Sequence, residues 1–230
     1  MEERYNRQIM LPEIGEEGQA RIRKTRVLLV GVGGLGSPIA TYLTGAGIGR
    51  LGLVDDDVVS VSNLHRQVLY SEAQVGQSKA ICAKERLQTL NSEVKIEAMP
   101  IRLTRENAET IIGSYDMVVD GMDNFATRYT VSDVCKRLNK PYVYGAIRGM
   151  EGQVAVLCQG HATYRTLLPD EEAVLQMPHP GKQVLGTTPA VMGSVEACQA
   201  LMLAARFGSP LIDKLWTVNL ATMESFTIEI

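Results

Sequence analysis

The stretch from residue 26 to residue 57, RVLLVGVGGLGSPIATYLTGAGIGRLGLVDDD, constrains the fold more than any other part of the chain. The apolar, β-branched run at residues 27–30 predicts a strand that is buried on both faces of a sheet. Ser37-Pro38 predicts the start of a helix, because serine is a favoured N-cap and proline suits the first helical turn. A second apolar strand is predicted at residues 51–54. The stretch is therefore predicted to be a βαβ unit.

A glycine-rich turn follows the first of these strands, and an acidic residue follows the second. The turn has the pattern G-x-G-x-x-G with one more glycine inside it, formed by Gly31, Gly33, Gly34 and Gly36. Without Cβ atoms, such a turn lets backbone N–H groups approach phosphate oxygens at the start of a helix. Asp55 lies near the spacing expected for a carboxylate that accepts hydrogen bonds from ribose hydroxyls. The unit is therefore predicted to bind a nucleotide. It is not the phosphate loop of G-x-x-x-x-G-K-[ST] proteins, since no lysine follows the last glycine.

Beyond this unit, strands and helices continue to alternate. Further strands are predicted at residues 94–99, 117–119, 142–146 and 153–157, helices at 14–24, 77–90, 104–112, 125–138 and 189–207, and a hairpin at 215–219 and 225–230. We expect an α/β, Rossmann-like fold: a mostly parallel sheet with helices on both faces and an antiparallel C-terminal strand extension. No repeat or linker divides residues 1–230, which predicts one domain. Residues 1–12 show no regular pattern and suggest a solvated arm, while residues 162–185 are expected to form a long loop.

Composition excludes several classes of protein. The net charge of -3 and the isoelectric point of about 5.7 argue against a nucleic-acid-binding surface. The charged start of the chain is no signal peptide, and no apolar run is long enough to cross a membrane. The 4 cysteines are scattered without a C-x-x-C pair, which is typical of reduced, mostly buried thiols rather than of disulfides or zinc ligands. We expect a cytoplasmic protein.

Charged side chains follow the predicted strands. Asp55 and Asp123 come after two of them, and Arg66 and Lys79 lie in segments that should open on the same edge of the sheet. The pyrophosphate of a dinucleotide is largely satisfied by the glycine turn and the helix start. A triphosphate carries more charge, and its displacement calls for Arg, Lys and a carboxylate-held Mg²⁺. The cations therefore favour ATP over NAD.

Several motifs in this order resemble those of the ubiquitin-activating-like adenylyltransferases of sulfur-carrier proteins, the ThiF/MoeB/HesA family. The matching motifs are R-Y-N-R-Q at residues 4–8, G-V-G-G-L-G at 31–36, D-x-D-x-V-S-x-S-N-L-x-R-Q at 55–67, V-G-Q-x-K at 75–79, Asp123-Asn124 and E-G-Q at 151–153. The resemblance spans nearly the whole chain.

This resemblance implies an activity. A small ubiquitin-fold sulfur-carrier protein would be adenylated by ATP on its C-terminal Gly-Gly carboxylate, with release of pyrophosphate, and the activated carboxyl would later receive sulfur. Thiamine (thiazole) biosynthesis is the preferred pathway, because the zinc-binding pairs usual in many molybdopterin-pathway relatives are missing. A molybdopterin-synthase sulfur-carrier adenylyltransferase is the alternative.

The resemblance also implies roles for particular residues. Asp55 would hold the ribose, Arg66 and Lys79 would contact phosphates, and Asp123 would hold Mg²⁺. Arg7 would reach the triphosphate of the partner subunit, which makes the protein a homodimer with shared sites. This implied role replaces the interpretation of residues 1–12 as a solvated arm, which rests on the local pattern alone. The implied catalytic residues are Arg66, Lys79, Asp123 and Arg7, and the implied nucleotide-binding residues are Gly31, Gly33, Gly34, Gly36, Asp55, Asp57, Ser62, Asn63, Leu64, His65, Arg66, Lys79, Asp123 and Asn124.

Two departures from the family pattern matter. Relatives often bind zinc through two C-x-x-C pairs, but here the first pair maps onto Thr163 and Thr166 and the second is missing, so no zinc is expected. The loop that supplies a thiol in some relatives has His179 and no cysteine, while Cys158 and Cys198 lie in strand and helix patterns. A separate sulfur donor is therefore expected. Residues 170–185 could cover the tail of the carrier or form a mobile linker.

Three alternative functions differ in what they require of this sequence. An NAD-dependent oxidoreductase would be compatible with the glycine turn and Asp55 alone. An inactive partner half of a heterodimeric activating enzyme would be expected to lack phosphate-site residues, which this chain keeps. An ATP-dependent tRNA-modifying dehydratase is disfavoured by the acidic isoelectric point.

Overall fold

The computed structural model describes residues 2–178, 181 and 183–230. In chain order the elements are α1 (Glu2–Ile9), α2 (Gly15–Lys24), β1 (Arg26–Val30), α3 (Gly36–Gly45), β2 (Arg50–Val54), α4 (Lys79–Leu90), β3 (Lys95–Met99), α5 (Ala108–Gly113), β4 (Met117–Asp120), α6 (Phe125–Arg137), β5 (Tyr142–Arg148), β6 (Glu151–Leu157), α7 (Tyr164–Leu167), α8 (Glu171–Gln176), α9 (Thr187–Ala205), β7 (Lys214–Asn219) and β8 (Glu224–Glu229). Within the described residues, no helix combines the length and the apolar character that crossing a bilayer requires.

The strands form one sheet in the order β3-β2-β1-β4-β5-β6-β7-β8. From β3 to β5 neighbouring strands run parallel, and from β5 to β8 they run antiparallel. The order reverses between β1 and β4, which is where open α/β sheets leave a crevice for a ligand. The predicted Rossmann-like fold with an antiparallel C-terminal extension is confirmed.

The core has two layers, one on each face of the sheet. Along β1, Val27 and Leu29 pack into one layer while Leu28 and Val30 pack into the other. Successive side chains of a strand point to opposite faces, so a strand covered on both sides needs an uninterrupted apolar run. Each such side chain contributes roughly 1.5–3 kcal/mol on burial. This is why the run at residues 27–30 predicted its strand.

The ends of three strands are level with one another. Val30, the last residue of β1, is in register with Val54 of β2 and with Asp120 of β4. Gly31 follows with a φ of 87°, and its carbonyl lies so close to Gly36 and Gly121 that a Cβ atom at either position would overlap it. We call the carboxyl ends of β1, β2 and β4, with the loops at residues 31–36, 55–57 and 121–124, the site edge.

The prediction of a solvated arm at residues 1–12 is wrong, because residues 2–9 form α1. Tyr5 anchors this helix: it is only 2% exposed, it lies against Gly47, and its hydroxyl accepts a hydrogen bond from Asn91 Nδ2 at 2.8 Å. Both partners lie far along the chain. Local periodicity in the first residues therefore contained no signal for the burial of Tyr5.

The long loop predicted at residues 162–185 also contains structure. α7 begins after a capping box in which the Thr163 N–H donates to Thr166 Oγ1 at 3.0 Å, and α8 is capped by Asp170, which accepts from Ala173 N at 3.0 Å. Both helices are shorter than two turns, too short to produce a clear helical period. His179 lies outside the described residues.

Several predicted helix starts are displaced by a few residues, and two of them show why. α3 begins at Gly36, and Ser37 does not cap it, because its hydroxyl donates to the Gly33 carbonyl at 2.8 Å from inside the helix. α5 begins at Ala108, later than the predicted start at Thr104. The Thr104 N–H instead donates to Asn107 Oδ1 at 2.8 Å in the turn before the helix.

Candidate nucleotide site

The glycine turn is lined by residues from two other segments. A Cβ atom at Gly34 would lie 3.2 Å from Cβ of Pro189, near the start of α9, and 3.5 Å from Cδ of Arg66. The predicted phosphate contact Arg66 is thus brought beside the predicted phosphate-binding turn. The local sequence pattern predicted this helix but did not indicate that its start would lie against the glycine turn.

Asp55 closes the glycine turn from the β2 side. Its Oδ2 accepts a hydrogen bond from Val32 N at 2.7 Å, and its Oδ1 accepts one from Asp57 N at 2.9 Å. Burial raises the pKa of the carboxyl above its ordinary value, although these hydrogen bonds and the charge of Lys79 oppose the rise. A carboxylate has about four acceptor sites. Asp55 can therefore still accept a hydrogen bond from a ligand hydroxyl while it fixes the turn.

Lys79 is held at the same loop by Asp57. It is the first residue of α4, its side chain is 6% exposed, and its Nζ lies 2.8 Å from Asp57 Oδ2. The Asp57 side chain is 70% exposed. The ammonium group is thus directed to the site edge by a partner that solvent and ligands can reach.

Residues 60–67 present Arg66. The turn is stabilised locally, since the Ser60 N–H donates to Asn63 Oδ1 at 3.2 Å. Arg66 Nη1 donates to the Ser62 carbonyl at 2.9 Å and lies 2.8 Å from His65 Nε2. The predicted site residues Ser62, Asn63 and His65 therefore contact or shape the turn that carries the guanidinium.

Three further side chains fasten this segment to the core and to the glycine turn. Leu64 packs against the core, and the Tyr70 hydroxyl donates to the Val32 carbonyl at 2.7 Å. Gln67 is buried, its Nε2 faces Gly33, and its Oε1 has no hydrogen-bond partner in the part of the chain that the structure describes. Sequence reasoning did not assign Gln67 or Tyr70 to the site. Gln67 was noted only as the last residue of the motif at residues 55–67.

The loop after β4 differs from its prediction. The carboxylate that ends the strand belongs to Asp120, which is fully buried, and not to Asp123. Asp123 lies three residues further on and is exposed, and its carboxylate has no hydrogen-bond partner among the described residues. Asn124 is the N-cap of α6, with Oδ1 accepting from Thr127 N at 2.9 Å. Asp123 is thus at the site edge with a free carboxylate, whereas the carbonyl oxygen of Asn124 is already engaged.

The free carboxylate fits one kind of metal ion. Within residues 2–178, 181 and 183–230, no three His, Cys, Asp or Glu side chains group into a metal site. Mg²⁺ does not need such a cage, because it is usually held by one or two carboxylates together with water and substrate phosphates. Asp123 meets that requirement. At the zinc position of relatives, the hydroxyl of Thr166 is engaged in the capping box of α7.

Arg7 is not brought to the site edge of its own chain. Within α1, Arg4 Nη1 donates to the Leu90 carbonyl at 2.9 Å and Gln8 Nε2 donates to the Ala46 carbonyl at 3.3 Å. These contacts precede β3 and β2, so α1 lies at the amino ends of the strands. α3, which runs between the two edges, has 10 residues and a length of about 15 Å. The exposed side chain of Arg7 is too short to cover that distance.

A cavity of about 280 Å³ opens farther along the same edge, at the ends of β5, β6 and β7. It is lined by Arg148, Gly149, Met150, Glu151, Gln183, Asn219 and Ala221. The chain from residue 183 to residue 189 leads from this cavity to the glycine turn: Val184 pairs with Gly149, and Pro189 lies against Gly34. Gly186, between them, packs on the His65 carbonyl.

The thiols lie elsewhere. All four cysteines are free, with Cys82 and Cys135 buried, Cys158 half-buried and Cys198 exposed, so the prediction of mostly buried thiols is wrong for Cys198. Burial raises the pKa of Cys135 to about 12 and also raises the pKa of Cys82 and of Cys158. None belongs to the three loops of the site edge.

Sequence comparison identifies the family. A model of the ThiF family matches residues 5–230. A sulfur carrier protein adenylyltransferase from Thermus thermophilus is 48% identical over 222 residues, which cover 93% of this chain and 81% of that protein. An adenylyltransferase and sulfurtransferase MOCS3-1 from Zea mays is 43% identical over 214 residues, covering 92% of this chain and 46% of that protein. A probable molybdopterin-synthase adenylyltransferase from Porphyra purpurea is 39% identical over 230 residues, covering 98% and 60%. The chain thus spans about half the length of several relatives.

Solved structures share the fold. PaaA superposes with a TM-score of 0.86 at 24% identity, covering 100% of this chain and 73% of that one. E. coli MccB with ATP superposes with a TM-score of 0.81 at 21% identity, covering 93% and 66%. The family predicted from the motifs is confirmed by the match over residues 5–230: the chain belongs to the ThiF family.

Proposed function

We propose that the protein uses ATP to adenylate the C-terminal Gly-Gly carboxylate of a small ubiquitin-fold sulfur-carrier protein. One observation carries this proposal: the fold gathers the glycine turn, the acceptor Asp55, the cations Arg66 and Lys79 and the free carboxylate of Asp123 at one edge of the sheet. The name of the Thermus relative, a sulfur carrier protein adenylyltransferase, supports the choice of substrate.

Each group has a role in the reaction. Backbone N–H groups at the start of α3 bind phosphate oxygens, and Asp55 accepts from the ribose. A carboxylate oxygen of the carrier attacks the α-phosphorus, and the bond from that phosphorus to the bridging oxygen of pyrophosphate breaks. Arg66 and Lys79 stabilise the charge that develops on the phosphate oxygens. When Mg²⁺ is bound by Asp123, it offsets the repulsion between the triphosphate and the incoming carboxylate.

The cavity beside Arg148 and Glu151 is the proposed entrance for the tail of the carrier. Three strand spacings of about 4.8 Å separate β1 from β6, roughly 14 Å in all. About four extended residues cover that distance. Residues 183–189 join the two places, which supports the hypothesis that part of the 170–185 segment covers the tail.

The proposed active unit is a homodimer. Arg7 lies at the opposite edge of its own subunit from the site, so it can contact a triphosphate only in a neighbouring subunit. Mixing Arg7→Ala subunits with Asp123→Ala subunits should restore part of the activity, because one hybrid site then has both side chains. Failure of the mixture to recover any activity would contradict the shared site.

The direct test is ATP–pyrophosphate exchange in the presence of a Gly-Gly-ended carrier. Asp123→Ala and Arg66→Ala should be nearly inactive, while Asp56→Ala, which removes an exposed carboxylate without an assigned role, should stay near wild type. Normal exchange by both site variants would refute the assignment. Protection from thermal unfolding by ATP with Mg²⁺ and not by NADH separates this function from a dehydrogenase.

Two carriers are candidates. Thr163 and Thr166 at the position of the first zinc-binding pair favour the thiamine (thiazole) pathway, whereas the name of the Porphyra relative, a probable molybdopterin-synthase adenylyltransferase, favours the molybdopterin pathway equally well. Exchange assays with the two candidate carriers decide between them. Since no cysteine belongs to the site edge, we propose that sulfur comes from a separate donor, in the cytoplasm.

A further inference from the structure

A buried arginine reaches from α6 into the loop that carries Asp123. Arg128 Nε donates to Asp120 Oδ2 at 2.9 Å, and its Nη2 donates to the carbonyl of Met122 at 2.7 Å and to that of Gly145 at 2.9 Å. The side chain is 8% exposed, and Asp120 is not exposed at all. One guanidinium group thus ties the end of β4, the following loop and β5 together.

The contacts converge on the residue before Asp123. Met122 donates its N–H to Asp120 Oδ1 at 2.8 Å, and its carbonyl accepts from Arg128. Both backbone polar groups of Met122 are therefore held by the Asp120–Arg128 pair. On the other side, Asn124 caps α6, the same helix that carries Arg128. The backbone of Asp123 is fixed from both directions, while its carboxylate remains exposed.

Stability alone is a weak reason for such an arrangement. A buried ion pair often adds little net stability over well-packed apolar residues, because both charges lose their hydration. Here two hydrogen bonds of the arginine go to main-chain carbonyls, which fixes a loop position that apolar packing would leave free. Groups behind a metal ligand commonly set its orientation and affinity.

We propose that Arg128 is a positioning residue that places the Asp123 carboxylate for a metal-bound triphosphate, acting through Asp120 and the Met122 carbonyl. The inference rests on the proposed role of Asp123. It assigns Arg128 no contact with nucleotide or metal.

The test compares ATP binding with and without Mg²⁺ by titration calorimetry, in the absence of carrier and well below the melting temperature. Arg128→Lys should weaken binding of MgATP by about 10–100-fold. Binding of ATP in EDTA should stay near wild type, because the glycine turn, Arg66 and Lys79 are untouched. In the exchange assay kcat should fall, while the KM for the carrier is retained.

Arg165→Lys is the matched control. Arg165 also pairs with a carboxylate through Nε and Nη2, at 2.9 Å and 2.7 Å from Asp133, and it lies over Tyr129 as Arg128 lies over Tyr144. It supports α6 away from the site edge. It should lower the melting temperature without changing the effect of Mg²⁺ on ATP binding.

Three results would overturn the inference: wild-type MgATP affinity in Arg128→Lys, an equal loss with and without Mg²⁺, or the same selective loss in Arg165→Lys. If Asp123→Ala keeps the full effect of Mg²⁺, the proposed metal ligand is wrong and the inference falls with it. If Asp123→Ala loses the effect and Arg128→Lys keeps it, only the inference fails.

Two further measurements cover the case in which Arg128→Lys does not fold. Asp120→Asn keeps the shape of the carboxyl and should show the same selective loss of MgATP affinity. In the unmodified protein, the Met122 N–H should exchange with solvent as slowly as the N–H groups of Val118 and Val119 in β4. Fast exchange at Met122 would show that its loop is not held, and would overturn the inference.

Discussion

The loops after β2 and β4 start level with each other beside the glycine turn, yet they use their acids in opposite ways. After β2, Asp55 is bound at both oxygens by backbone N–H groups and helps to build the turn. After β4 the two tasks are separated, because Asp120 is buried in the structure and Asp123 is left free. The loop after β2 thus offers Asp55, an acceptor whose position is already fixed. The loop after β4 offers the carboxylate of Asp123, which is available to bind a cation.

The core behind the loop after β4 contains another acidic residue, and it differs from Asp120 in its hydrogen bonding. Glu196 of α9 is fully buried, it lies against Gly145, and neither of its oxygens has a hydrogen-bond partner among the described residues. Burial raises the pKa of Glu196 well above its usual range, the charge of Asp120 raises it further, and Arg128 opposes the rise. Asp120 and Glu196 therefore contrast a partnered and an unpartnered acid in one part of the core.

The largest expected effect comes from removing the partner of Asp120. Arg128→Met should lower the free energy of unfolding by about 3–5 kcal/mol, because it leaves a carboxylate buried without its counter-charge. Lys79→Met is the matched change behind the first loop and should cost less than about 1 kcal/mol, since the Asp57 side chain is 70% exposed and water replaces the lysine. Urea unfolding measures both, and equal losses would contradict the contrast between the loops.

The next effect separates activity from stability. Asp123→Ala should reduce the exchange rate by about 10²–10³-fold, as removal of one charge-stabilising group at a reacting centre does. Its free energy of unfolding should stay within about 0.5 kcal/mol of wild type, because the side chain is exposed. Asp55→Ala should lower both the exchange rate and the free energy of unfolding, because the Val32 N–H is then left without its acceptor. Exchange assays and urea unfolding on the same preparations measure this, and a destabilised Asp123→Ala protein would refute it.

Removing the unpartnered acid should stabilise the fold. Glu196→Met should raise the free energy of unfolding by about 1–3 kcal/mol near pH 8, because an unsatisfied buried polar group is replaced by an apolar one of similar size. A raised pKa in the folded state favours folding at low pH, and this stability is lost as the pH rises from the ordinary value of 4.5 toward the folded value. The advantage of the variant should therefore grow with pH above 4.5.

Glu196→Gln serves as the control for this experiment. It removes the titration but leaves a polar group without a partner, so its stability relative to Glu196→Met should not change with pH. Urea unfolding between pH 5 and 9 measures the difference. A wild-type protein that loses no stability against Glu196→Met across that range would show that the carboxyl is satisfied.

A small effect is expected for the helix cap Asn124. Asn124→Ala removes the side-chain acceptor of Thr127 N at the start of α6 and should lower the free energy of unfolding by about 1 kcal/mol. Because the backbone before Asp123 is held by Arg128, exchange activity should fall far less than in Asp123→Ala. Thermal unfolding and the exchange assay measure the two quantities. A loss of activity as large as that of Asp123→Ala would assign Asn124 a direct role at the nucleotide.

The regular part of the fold was predictable because its signals are local. An apolar run of a few residues predicted each buried strand, and the glycine pattern with Asp55 predicted the turn. The positions of Arg66, Lys79 and Asp123 near one edge followed from their places after parallel strands. All of this depends on periodicity and on the handedness of βαβ connections, which a single chain displays directly.

What remained unpredictable depends on contacts between distant residues. The burial of Tyr5 requires Gly47 and Asn91, and the orphan acid Glu196 is explained only by its position against Gly145. Asp120 ends β4 and Asp123 follows it within three residues, and the contacts of Asp120 with Arg128 and Tyr142, which are distant in the local pattern, accompany the burial of Asp120 alone. The short spacing between Asp123 and Arg128 is the available sequence signal for this contact. Helical periodicity alone does not predict from it that Arg128 reaches back to Asp120 and Met122.

The location of α1 has a consequence for how such an enzyme responds to its own abundance. If Arg7 completes a neighbour's site, isolated subunits are catalytically silent, and turnover per subunit falls when the protein is diluted below the concentration at which subunits pair. A subunit that lacks Arg7 would leave its neighbour's site incomplete, while its own site would still be completed by the neighbour's Arg7. Mixed dimers would therefore keep one working site, and output would fall only in proportion to the subunits that lack Arg7.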